Sequence, residues 1–175
     1  MYRTTSLFLV FFILLACNDS KKKQEKVVED LSVTTYYLIR HAEKDRSDPT
    51  NKNPQLTEEG LLRARNWAAY FENIPIDHIF STDYSRTMQT AAYTATQKDM
   101  TIESYNPNAL YDDRFREHTH GKSVLVVGHS DTTPQFVNAI IAEKKYDDIA
   151  DNENGLLYKV TLKEGIKNVE IISVR

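Results

Sequence analysis

From about Thr34 onward, short β-rich runs alternate with stretches of helical periodicity, and this alternation restricts the chain to a mainly parallel sheet with helices on both faces. The expected strands are Thr35 to Arg40, Ile79 to Ser81, Thr101 to Ser104 and Ser123 to Gly128. Between them Leu61, Ala64, Ala68 and Phe71 recur at helical spacing, as do Met88, Ala91, Ala92 and Ala95. Thr57 is placed to cap the first helix, with Glu58 and Glu59 in its first turn. A further helix is expected to open near Thr132, with Pro134 in its first turn, and to bury Phe136, Val137, Ile140 and Ile141. Asn154-Gly155 is a turn signal. Leu156 to Leu162 and Asn168 to Val174 then read as a β-hairpin completing one edge, joined through Lys163-Glu164-Gly165. The expected fold is therefore α/β, a three-layer sandwich with a mainly parallel sheet and a C-terminal β-hairpin at one edge.

The segment before this domain has a different character. Leu7 to Ala16 is a compact apolar run preceded by Arg3, about half the length a membrane span requires, which is a signal-peptide layout. Lys21, Lys22, Lys23 and Lys26 then balance Asp19, Glu25, Glu29 and Asp30 in a polar stretch that reads as a solvated linker. The expected organisation is a signal peptide over residues 1–16, a tether over 17–33 and one folded domain over 34–175. Leu14-Leu15-Ala16-Cys17 resembles the lipobox of bacterial lipoproteins. That resemblance implies diacylation of Cys17 and a protein anchored on a membrane surface in an extracytoplasmic space.

Composition removes several classes. With 22 Lys plus Arg against 25 Asp plus Glu, a net charge of −3, the chain lacks the basic excess of a generic nucleic-acid binder. Its single Cys excludes an intramolecular disulfide, a CxxC redox pair and a multi-Cys zinc site. No cofactor, metal or obligate protein partner is expected.

Three chemistry-bearing segments fall at the C-terminal ends of expected strands, where open α/β sheets place ligands. They are Arg40-His41-Ala42-Glu43-Lys44, Ser81 to Thr87 with Arg86, and Gly128-His129-Ser130-Asp131-Thr132. Guanidinium groups match phosphate oxygens two-pronged, and a neutral imidazole among them can attack phosphorus. Two Arg and two His at one rim thus read as a phosphoryl pocket with a nucleophile inside it, and a phosphorylated molecule is the expected substrate.

The same segments, together with Leu56-Thr57-Glu58-Glu59-Gly60, Gln89-Thr90-Ala91 and Val126-Val127-Gly128-His129-Ser130, resemble the histidine phosphatase superfamily, also called the phosphoglycerate mutase-like family, over about Thr35 to Ile141. The resemblance implies a transiently phosphorylated His41, with Arg40, Arg86 and His129 binding the phosphate. For that chemistry His41 needs one nitrogen fixed as a donor and the other unprotonated, whereas His129 serves best protonated against a phosphate dianion. The proton donor to a leaving alkoxide is not settled by the sequence. Asp131 and Glu43 are the main candidates, with Asp112 and Asp113 behind them, and Asp131 competes for the role of helix N-cap. Asn106 to Lys122 is too short for the lid a mutase needs, which favours hydrolysis. A lipoprotein that binds a phosphorylated ligand without turnover is the reading from a different class.

Rival motifs are incomplete. Gly128-His129-Ser130 lacks the second Gly of a serine-hydrolase elbow, and no His follows it to complete a triad. His41-Ala42-Glu43 lacks the Cys-rich half of a zinc deaminase signature. His118 and His120 have a spacing that would let them share a strand face and a metal, but their polar surroundings read as a solvated helix end, and His78 reads as structural.

Overall fold

The computed structural model describes residues 32–174. Cys17, the apolar run before it and most of the expected tether lie outside the described residues. Six strands form one sheet: β1 Val33–Arg40, β2 His78–Ser81, β3 Ile102–Ser104, β4 Ser123–Gly128, β5 Leu156–Lys163 and β6 Ile166–Ser173. Four helices lie among the described residues: α1 Glu58–Phe71, α2 Ser85–Lys98, α3 Asp113–Thr119 and α4 Thr132–Ile141. The sheet order is β3-β2-β4-β1-β5-β6. Pairs among β1 to β4 are parallel, and β5 and β6 add as an antiparallel hairpin at one edge, the architecture expected from the sequence.

Alternation along the strands makes two cores. Tyr36, Leu38, Phe80, Val124 and Val126 face one side, where Phe136, Val137 and Ile140 of α4 cover them and Phe115 of α3 packs alongside. Tyr37, Ile39, Ile79, Leu125 and Val127 face the other, against Trp67 and Phe71 of α1 and Ala91 and Ala95 of α2. A strand buried on both faces reads as a continuous apolar run, which is why β4 begins and ends where its sequence indicates.

Two helices depart from expectation. The buried face of α2 is Thr87, Thr90, Ala91, Thr94 and Ala95, while Met88 is 36% exposed and Ala92 half-buried. The face is rotated because two of these threonines are satisfied by local bonds: Thr87 Oγ1 donates to Tyr84 O or Thr82 O at 2.9 Å, and Thr90 Oγ1 donates to Arg86 O at 2.7 Å. In the segment 106–122, Asp112 caps α3 by accepting from Phe115 N at 2.8 Å. Ile141, expected in the core, is half-buried in the last turn of α4.

The cap on α1 forms as its sequence implies, Gly60 N donating to Thr57 Oγ1 at 3.1 Å, worth about 1 kcal/mol. Gly60 also lets α1 press against the loop after β1, because a Cβ there would collide with the carbonyl oxygen of Glu43. This contact fixes the course of the chain directly behind His41.

Candidate active site

His41 follows β1 directly and is 3% exposed. Its backbone N donates to Gly128 O at 2.9 Å, and its own carbonyl accepts from Asn154 Nδ2 at 2.9 Å. The ring Nδ1 lies 2.7 Å from Ala42 O. A carbonyl only accepts, so Nδ1 carries the hydrogen and the lone pair resides on Nε2. Burial pushes the imidazole down to about 3; the bond to Ala42 O opposes this, and the charges of Arg40 and Arg86 add to it. The neutral tautomer required of a nucleophile is thus built into the backbone.

His129 follows β4 and stands with its ring centroid 5.6 Å from that of His41. Its Nε2 lies 3.0 Å from Thr82 Oγ1, which in turn lies 2.9 Å from Thr87 Oγ1. Its Nδ1 faces Arg86 Nη2 at 3.4 Å. A guanidinium can only donate, and Thr87 spends its hydrogen on a backbone carbonyl, so the chain runs from His129 Nε2–H to Thr82 to Thr87. His129 is therefore neutral with Nδ1 unprotonated. Burial first, then the Arg86 charge, push it down to about 4, against an opposing pull from Asp131. The expectation of a protonated His129 concerns the phosphate-bound site; in the free site burial and the neighbouring guanidinium keep the ring neutral, and an anion has to screen that charge before it can take a proton.

Both imidazoles thus titrate below their ordinary 6.5. Between the folded values and 6.5 the unfolded chain binds protons that the folded chain refuses, so stability rises with pH across that window and is lost as pH falls through it. The urea midpoint is expected to be lower at about pH 5 than at about pH 7. Replacing His129 by Gln should shrink that difference, as unfolding curves at the two pH values will show.

Arg86 opens α2 and lies with its Cζ 4.3 Å from the centroid of the Tyr84 ring, whose edge also meets His129 at 5.2 Å between centroids. Its Nε and Nη1 are buried without a hydrogen-bond partner among the described residues. Orphaned buried donors on a cation mark a place for an anion. Arg40 behaves differently. It is 2% exposed, and its Nη1 donates to Ala150 O at 2.7 Å, with Asp151 O at 3.1 Å and Glu153 O at 3.2 Å also in reach. Its Nη2 donates to Asp151 Oδ1 at 3.1 Å, and Nε has no partner among the described residues. Most of this guanidinium therefore clamps the loop before β5, while the buried Nε–H is left over from that clamp.

The two acid candidates are both engaged. Glu43 Oε1 accepts from Arg63 Nε at 2.6 Å, although Oε2 is buried without a partner among the described residues. Asp131 is exposed and caps α4, accepting from Thr132 N at 2.8 Å. Asp112 and Asp113 belong to the start of α3, where Asp112 is spent as its cap. A cavity of about 250 Å³ adjoins His41, lined also by Glu43, Lys44, Arg46, Asp151 and Asn154.

Four positioning residues carried no assigned role in the sequence. Thr82 orients His129, Thr90 accepts from Ala42 N at 2.9 Å, Tyr84 holds Arg86, and Asn154 anchors His41. Thr82, Tyr84 and Thr90 do lie in segments marked as chemistry-bearing or as carrying the resemblance, whereas Asn154 reads in sequence as a turn former.

The sequence profile of the histidine phosphatase superfamily (branch 1) matches residues 36–107, which span β1 to β3 and include His41 and Arg86. The whole domain shares its fold with solved structures. Phosphoglycerate mutase from Bacillus anthracis superposes with a TM-score of 0.65 at 16% identity, covering 82% of this chain and 94% of that one. The protein histidine phosphatase SixA complexed with tungstate gives 0.61 at 16% identity, over 79% and 96%. A phosphoserine phosphatase variant from Entamoeba histolytica in complex with phosphoserine gives 0.59 at 12% identity, over 78% and 94%. No curated protein matches in sequence. The profile match over residues 36–107 accords with the resemblance the motifs carry, and the solved structures show that the fold is shared.

Proposed function

We propose that this protein is a phosphohydrolase, a phosphomonoesterase or phosphohistidine phosphatase, working through a phosphohistidine on His41 without a metal step. The observation that carries the reading is the His41 ring, buried and neutral, with Nδ1–H spent on Ala42 O and the lone pair left on Nε2, within the field of an Arg86 that keeps two buried donors unpartnered among the described residues. In the first step Nε2 attacks phosphorus, the N–P bond forms, and the bond to the leaving group breaks with its electron pair departing. Arg86 and the spare Nε–H of Arg40 hold the equatorial oxygens. The phosphate dianion offsets the Arg86 charge, which lets His129 take a proton on Nδ1 and donate to the transferring group. Water then attacks phosphorus and the N–P bond breaks, restoring the His41 lone pair.

Glu43 is paired to Arg63 through Oε1 and Asp131 caps α4 through Oδ1, and each keeps its second oxygen outside those bonds, so both stand as proton donors for a leaving alkoxide. Leaving groups that depart with little protonation, such as aryl oxides, need neither. Hydrolysis is favoured over mutase transfer because the segment 106–122 is committed to the core: Phe115 of α3 packs on Phe80 and Phe136 at ring distances of 4.8 and 5.1 Å. The test is turnover of an aryl phosphate by the full-length protein in EDTA. EDTA-resistant hydrolysis supports the reading, and saturable binding of phosphate esters without turnover would replace it with the binding-protein alternative.

On the Leu14 to Cys17 sequence, we also propose that Cys17 carries a lipid anchor and that the domain works tethered to a membrane in an extracytoplasmic space. Cys17→Ser is expected to move the protein from the membrane fraction to the soluble one, and unchanged partition would remove the anchor from the account.

A further inference from the structure

Away from the active site, three segments bring a second group of metal-ligating side chains together. His78 opens β2 and Glu103 lies in β3, and because Phe80 pairs with Glu103 in a parallel register, both side chains share the face covered by α3. His118, in the last turn of α3, completes the group. Glu103 Oε1 accepts from His78 Nδ1 at 2.8 Å, and Oε2 accepts from His118 Nε2 at 3.1 Å. The two imidazole centroids are 4.5 Å apart. One ligand atom from each residue lies within 4.8 Å of the others. The spacing of His118 and His120 suggested a shared ligand face, but the chain instead turns His118 toward β2 and β3, and His120 Nε2 meets Ser32 Oγ at 3.1 Å.

We propose that His78, Glu103 and His118 form a binding site for a divalent transition ion of the zinc class. Two imidazoles with one carboxylate suit zinc, copper or nickel, whereas magnesium and calcium require mainly oxygen ligands. To bind as neutral ligands the two imidazoles carry their hydrogens on the other ring nitrogens, Nε2 of His78 and Nδ1 of His118, in place of the N–H groups now donated to the carboxylate. The ion then accepts lone pairs from His78 Nδ1 and His118 Nε2 and a bond from one Glu103 oxygen, with water in the fourth position. Bonds of about 2.0–2.2 Å in a tetrahedron separate neighbouring ligand atoms by roughly 3.4 Å, so the present 2.8 and 3.1 Å have to open by a few tenths of an ångström. His118 is 52% exposed at the end of a short helix and can supply that movement. The bound ion staples α3 to the outer edge of the sheet. It lies beside the strand that leads into Ser104, Tyr105 and Asn106, which line a cavity together with Thr82 and Tyr84.

Titrating untagged full-length protein with cobalt(II), followed by zinc, tests the site. One equivalent of cobalt should give the visible d–d absorption of a low-coordinate nitrogen–oxygen site, and zinc should abolish it. His118→Ala and Glu103→Gln should each weaken binding by about 10-fold or more, with far-UV circular dichroism unchanged for the exposed His118 variant. His41→Ala should bind cobalt as the wild type does, and EDTA-resistant turnover should persist in His118→Ala. Absence of saturable binding, binding retained in His118→Ala, or binding lost in His41→Ala would each overturn the proposal, the last by moving the ion to the catalytic pair.

Discussion

His41→Ala is expected to lower kcat/KM for an aryl phosphate in EDTA by at least about 10⁴-fold, the scale on which enzymes lose rate with their nucleophile. Arg86, His129 and the spare donor of Arg40 remain in the variant, so phosphate still binds, but nothing accepts the phosphoryl group. The substitution also removes the donor to Ala42 O from a buried position, which invites the objection that the variant misfolds. His41→Asn answers it, because an amide can still donate to that carbonyl yet cannot form a phosphoramidate at this site. Equal losses in both variants, with circular dichroism unchanged, place the effect on chemistry. Turnover surviving in either would remove His41 from the mechanism.

Arg86→Ala should cost about 10²–10³-fold in kcat/KM, the loss typical of one charge-stabilising donor at a transition state. The unpartnered Nε and Nη1 leave donors on both flanks of the guanidinium plane open to phosphoryl oxygens. Arg86→Lys therefore restores only part of the rate, since a lysine brings a single point charge and loses the planar contact with Tyr84. Because the Arg86 charge also depresses His129, its removal should let His129 titrate closer to the ordinary imidazole value. Inorganic phosphate as a competitive inhibitor will check the binding component, and its affinity should fall along with kcat/KM. An Arg86→Ala enzyme with wild-type kcat/KM and phosphate affinity would show that the orphaned donors serve no ligand.

The sequence showed the parts of this site that depend on strand ends. His41, Arg86 and His129 follow β1, β2 and β4, and parallel neighbours necessarily bring those ends to one rim. It showed much less of what orients them. Arg40 appears in sequence as a phosphate ligand because its local context is identical for either role, and only the return of the loop at Ala150 to Glu153, more than a hundred residues on, shows the clamp. The neutral state of His129 in the free site is hidden for a related reason: Arg86 belongs to another segment, and its distance from the ring is a tertiary fact. Among the helices, α1 was legible because its apolar residues do the packing. The face of α2 was obscured by threonines, whose hydroxyls look polar in sequence but are internally bonded in the fold. The convergence of His78, Glu103 and His118 depends on the β2–β3 register and the docking of α3, neither of which local periodicity records.

The most direct test of the account is to trap the phosphoenzyme. Full-length protein mixed with ³²P-labelled phosphoramidate and quenched in base should retain a burst of protein-bound label that is stable to base, released by acid, mapped to His41 and missing from His41→Ala. Phosphate release with no such label, or acid-stable label on another residue such as Ser130, would contradict phosphohistidine catalysis by this chain.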